Sequence, residues 1–136
     1  MGTRRRRELA IILVVYSAFL AVVLLAPTSG TQSESASWLS DLAISLGVPD
    51  RFTSQPRIEF VCNALILMPV SALGSFVWPR TTWRDWTAYA FVISGFVELI
   101  QGLVLPQRTA TFVDVVANTL GGLGGALIVA LVRSRR

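Results

Sequence analysis

The chain has no histidine, no lysine and a single cysteine, Cys62. A zinc centre built from His and Cys is therefore excluded, as is a cysteine–histidine catalytic pair. One cysteine cannot form an intrachain disulfide. Cys62 stands inside an apolar run and reads as a small buried hydrophobe. Charge is scarce: 15% of 136 residues carry one, where soluble domains carry about 25%. Walker loops, nucleophile-triad motifs and metal motifs are missing too. The glycines of "NTLGGLGG" lie within an apolar run and lack the Lys and Ser/Thr of a phosphate loop. No cofactor is implied by any of this, and the chain gives no sign of being an enzyme beyond its carboxylates and arginines.

All the positive charge is arginine, giving a net charge of +4 and a pI of about 10.6. Such a balance can mark a nucleic-acid binder. Here the arginines sit at the ends of apolar runs and form no continuous stripe, so they read as topology signals and no nucleic-acid partner is expected.

What the chain does have is apolar length. Hydrophobic residues make up 53% and the mean hydropathy is +0.61. Four apolar stretches cover residues 9–26, 58–78, 86–105 and 112–132. Each is close to the roughly 20 residues that cross a hydrocarbon core as helix. Backbone groups in lipid must bond within their own segment, and no short alternating strands suggest a barrel. The expectation is an all-α integral membrane bundle of four transmembrane helices, forming one domain over 1–136.

Nine of the twelve arginines flank one side of these spans: Arg4 to Arg7, Arg80, Arg84, Arg133, Arg135 and Arg136. Arg51, Arg57 and Arg108 flank the other. Arginine excess marks the cytoplasmic side, so both termini are expected inside a bacterial cytoplasmic membrane. The first span, with four arginines before it and "APTSG" after it, also resembles a secretory signal. Its length and the lack of an A-x-A site favour a retained helix. Tyr16 and Ser17 read as packing residues, and Trp38, Trp78, Trp83 and Trp86 as an interfacial aromatic belt.

The first external loop, 27–57, opens on the polar stretch "PTSGTQSESAS", expected to be flexible. The following "SWLSDLAISLG" predicts a short amphipathic helix on the external surface. Ser37 reads as its N-cap, Trp38, Leu39, Leu42, Ala43 and Leu46 as one face, and Gly47 with Pro49 as its end.

Within the spans stand residues that lipid disfavours. An ionisable group there costs roughly 2.5–3.5 kcal/mol on insertion scales. Glu59, Glu98 and Asp114 are such carboxylates, joined by the amides Asn63, Gln101 and Asn118. The expected topology puts all six in the external half of the membrane. Glu59 with Asn63, Glu98 with Gln101, and Asp114 with Asn118 are three or four apart, so each pair shares a helix face. The Asp114 face continues through Gly121 and Gly125, a spacing that lets another helix approach closely. Pro69 removes a backbone donor beneath Asn63. Arg108, in the turn "LPQRTAT", and Arg57, at the mouth of the second span, are placed to neutralise the carboxylates or to hold a phosphate. Such a cluster defaults to a functional site. The bland alternative is interhelical hydrogen bonding, worth about 0.6 kcal/mol on average.

The stretch "SGFVELIQGLVLPQRTATFVDVVANTLGGLGG" resembles the signature of VanZ-like proteins: Glu98 and Gln101 on one helix, Arg108 in a short loop, then Asp114, Asn118, Gly121 and Gly125 on the next. Upstream, "RIEFVCNALILMPVSALG" resembles the family's earlier segment through Asn63, Pro69 and Gly74, with the usual compact Pro-Leu-Gly stretched. The resemblance covers about 57–132. It implies a small bacterial membrane protein of the cell envelope, in a family whose founding member is associated with resistance to teicoplanin.

Three roles follow as expectations. The first is a site for a membrane lipid or lipid-linked envelope precursor at Glu98, Gln101, Arg108, Asp114, Asn118, Asn63, Glu59 and Arg57. The second is a non-catalytic scaffold whose glycine face docks a second copy or another membrane protein. The third is a small proton-coupled carrier using Glu98.

Overall fold

The computed structural model describes residues 2–25, 30–105 and 111–135, with backbone alone for residues 30–35 and 50. Among the described residues six helices follow one another: α1 (Thr3–Leu24), α2 (Gly30–Ser45), α3 (Asp50–Thr53), α4 (Gln55–Val77), α5 (Trp83–Val104) and α6 (Phe112–Ser134). No strand occurs among the described residues. Four helices, α1, α4, α5 and α6, are long and apolar enough to cross a membrane. This is the expected all-α four-span architecture.

The helices outrun their apolar stretches. α1 starts at Thr3 rather than residue 9, because arginine and glutamate propagate a helix nearly as well as leucine. Arg4 and Glu8 pair one turn apart at 3.1 Å on this extension. α5 starts at a capping box: Thr82 N–H donates to Asp85 Oδ2 at 2.7 Å, and Asp85 N–H donates back to Thr82 Oγ1.

α2 departs further from expectation. The polar stretch expected to be flexible is helical from Gly30, and Ser37 lies inside α2 instead of capping it. Residues 27–29 of that stretch lie outside the described residues. Between Gly30 and Ser45 there is no internal Gly or Pro to stop propagation, and the helix packs on α4. The anticipated apolar face is also split. Ala36, Leu39, Ser40 and Ala43 turn inward, while Trp38 (62% exposed), Leu42 and Leu46 point out. The end of α2 is as expected. Gly47 takes φ +84°, with Gly47 N–H to Ile44 O and Val48 N–H to Ala43 O closing a Schellman motif.

α4 and α6 form the centre, running parallel and in close contact. Glycine makes this possible. A Cβ on Gly121 would overlap the Ala64 carbonyl, and one on Gly125 would overlap the Met68 carbonyl and Ser71 Oγ. α1 packs against α4, with Tyr16 Oη donating to Ile66 O at 2.7 Å. α5 packs against α6, where Gly122 receives Ala90. The Trp86 indole fills the space left by Gly74 and donates to Thr81 Oγ1 at 2.9 Å. Trp86 is thus a wedge between α4 and α5, beyond the interfacial role expected of it.

At the end of the bundle carrying both termini, arginines cap α4. Arg6 Nε donates to Val77 O at 2.7 Å and an Arg133 guanidinium nitrogen donates to Ser75 O. The last carbonyls of a helix lack intrahelical donors and carry partial negative charge. Two residues whose sequence position marked topology therefore also hold three helix ends together.

Candidate functional site

The other end of the bundle collects the polar residues. α6 is capped by Thr111, whose hydroxyl accepts from Asp114 N–H at 3.2 Å and donates to Asp114 Oδ2 at 2.8 Å. Asn63 Nδ2 of α4 donates to Asp114 Oδ1 at 2.7 Å. Both carboxylate oxygens of Asp114 are therefore engaged, one by its own helix cap and one by α4. From α5, Glu98 Oε2 accepts the Thr111 backbone N–H at 2.8 Å. The result is a continuous run, Glu98–Thr111–Asp114–Asn63, that joins α5, α6 and α4.

The electrostatics follow from where α6 starts. Its first N–H groups have no intrahelical acceptor, and the helix dipole puts partial positive charge there. Glu98 and Asp114 both take donors from this terminus, which offsets part of the cost of two carboxylates within apolar helices. Glu98 is 9% exposed; Asp114 and Asn63 are half-buried.

Asn118 lies one turn further along the Asp114 face. It is 6% exposed, and its Oδ1 is buried with no hydrogen-bond partner among the described residues. An unsatisfied buried acceptor costs about 1–3 kcal/mol. Below it come Gly121 and Gly122, which press against α4 and α5 respectively.

The remaining predicted residues divide. Gln101 is buried, but it turns away from Glu98: its Nε2 donates to Leu24 O, the last residue of α1, at 2.6 Å. Residues three apart differ by about 60° around a helix, enough for Glu98 to face α6 and Gln101 to face α1. Glu59 stays with its own helix, accepting from Gln55 Nε2 at 3.2 Å. Arg57 is exposed at the start of α4. Arg108 and its turn lie outside the described residues. Thr111, which touches both carboxylates, escaped the sequence reading. Its signal was the Thr-x-x-Asp spacing of residues 111 and 114 ahead of an apolar run.

Apolar helices of spanning length enclosing a buried polar end define a multi-pass membrane protein. Residues 12–133 match the VanZ/LLP1 family, and the chain belongs to it. No curated protein matches the chain, and no solved structure does.

Proposed function

We propose that this VanZ-family protein acts in the cell envelope by binding the polar portion of a lipid or lipid-linked precursor at the Glu98–Thr111–Asp114–Asn118 end of the bundle. The arginine asymmetry of the chain orients that end toward the external leaflet. The observation that carries the reading is Asn118. Residues that serve only to tie helices together satisfy one another, as Asn63 and Asp114 do. Asn118 Oδ1 is a buried acceptor without a hydrogen-bond partner among the described residues, one turn from the Asp114 carboxylate, and it suits a ligand rich in hydroxyl or ammonium donors. Arg57 and Arg108 flank the same end in sequence and suit a phosphate.

Native mass spectrometry of the purified chain with its co-purified lipids tests this. Asn118→Leu is expected to cut lipid retention at least tenfold while the protein stays folded. Retention equal to wild type overturns the reading. The link to teicoplanin belongs to the same proposal: cells expressing the chain should tolerate more of the drug than cells expressing Asn118→Leu.

A scaffold role is the second reading, favoured by the complete engagement of Asp114 within the bundle. It predicts that Asp114→Ala lowers stability and leaves lipid retention intact. Under it the docking surface would not be Gly121 and Gly125, since both lie against α4 of the same chain.

A further inference from the structure

α1 rests on α4 and α5 rests on α6, and between α1 and α5 runs a slot of about 200 Å³. Leu67 of α4 and Gly122 of α6 form its floor; Leu20 and Leu24 of α1 face Ile93 and Val97 of α5 across it. The slot is open along one side, where Ile93 remains 58% exposed. It lies along the middle of four spanning helices, so this side faces the hydrocarbon of the bilayer.

Two occupants can be weighed by size and chemistry. Water needs two to four polar partners, and the walls are almost wholly aliphatic and aromatic. An apolar cavity of about 150 Å³ accepts a benzene ring, so a slot this size accepts a stretch of alkyl chain. Its position relative to the polar end is also defined. Gln101 bridges the two walls at Leu24, Glu98 follows Val97, and Asn118 is one turn from Gly122.

We propose that the slot between α1 and α5 seats one acyl chain of a membrane glycerophospholipid, entering sideways from the bilayer, with its polar end beside Gln101 and the Glu98–Thr111–Asp114 run. The placement of the headgroup rests on the binding function proposed above; the seat for the chain does not.

The test uses the full chain in phosphatidylcholine nanodiscs doped with phosphatidylglycerol bearing a mid-chain diazirine. After illumination, adducts are expected on Leu67, Ile93 and Val97 at least fivefold above Val14 and Leu131, which are 66% and 60% exposed on other faces. Val97→Trp, which fills the slot, should reduce the adducts on Leu67 and Ile93 at least fivefold while Val14 labelling is unchanged. Should that variant not fold, Ala21→Phe on the exposed rim of α1 reads the same quantity. Uniform labelling of all exposed positions, or labelling unaffected by the filled slot, overturns the proposal. A parallel run with a diazirine-bearing alkane separates the two readings. If Asn118→Leu leaves the preference for phosphatidylglycerol over the alkane unchanged while labelling stays in the slot, the slot stands and the headgroup reading falls.

Discussion

Asn63 on α4 donates its amide to Asp114 on α6 at 2.7 Å, tying together two parallel helices through residues 51 apart in sequence. Hydrogen bonds between membrane helices average about 0.6 kcal/mol and reach about 1.7 kcal/mol. A double-mutant cycle of Asn63→Ala and Asp114→Ala, read by unfolding in mixed micelles, should give a coupling within that range. Additive single effects would show that the pair does not join the helices.

Thr111 serves both carboxylates, through its backbone N–H to Glu98 and its hydroxyl to Asp114. Thr111→Val keeps the first and removes the second along with the cap of α6, and should destabilise by about 1–2 kcal/mol. Thr111→Ser keeps both and should stay within about 0.5 kcal/mol of wild type. A loss in Thr111→Ser with none in Thr111→Val would assign the effect to packing of the methyl group.

The glycines of the bundle are not equivalent. Gly121→Ala and Gly125→Ala set a Cβ against backbone carbonyls of α4, and overpacking of this kind costs about 1–3 kcal/mol. Gly124→Ala meets only the flexible end of Met68 at 3.1 Å and should cost little. Gly95→Ala meets nothing within 4 Å and should gain up to about 1 kcal/mol of helix propensity. Thermal unfolding of the four variants checks this order.

Arg133 and Arg135 are neighbours with different work. Arg133 caps α4 through Ser75 O and sits over the Phe76 ring at 5.8 Å. Arg133→Gln should lower stability by about 1 kcal/mol or more. Arg135→Gln, at an exposed terminus, should change it by less than about 0.5 kcal/mol. The same unfolding assay distinguishes them, and matching values would remove the capping role.

Much of the molecule was legible without coordinates. The four spans, the glycine after α2 and the polar positions of the motif all depend on local chemistry: apolar length, φ preference, and the cost of a carboxylate in lipid. The N-terminal half of α2 was not legible. Its residues have no strong preference, and the anchor that extends the helix is α4, supplied from elsewhere in the chain.

The sequence by itself determined that this is a multi-span helical protein of the VanZ/LLP1 family with carboxylates and amides gathered near one end. A helix needs only its own residues to cross a membrane and to set which side chains share a face. Tertiary structure decided the partners. It sent Gln101 to α1 and Glu98 to α6, although the two are three residues apart. It drew Thr111 between two carboxylates, placed Gly121 and Gly125 against α4, and left Asn118 Oδ1 without a partner among the described residues. The physical reason is that a hydrogen bond or a close glycine contact depends on where the second helix stands, and that is set by how all four pack together.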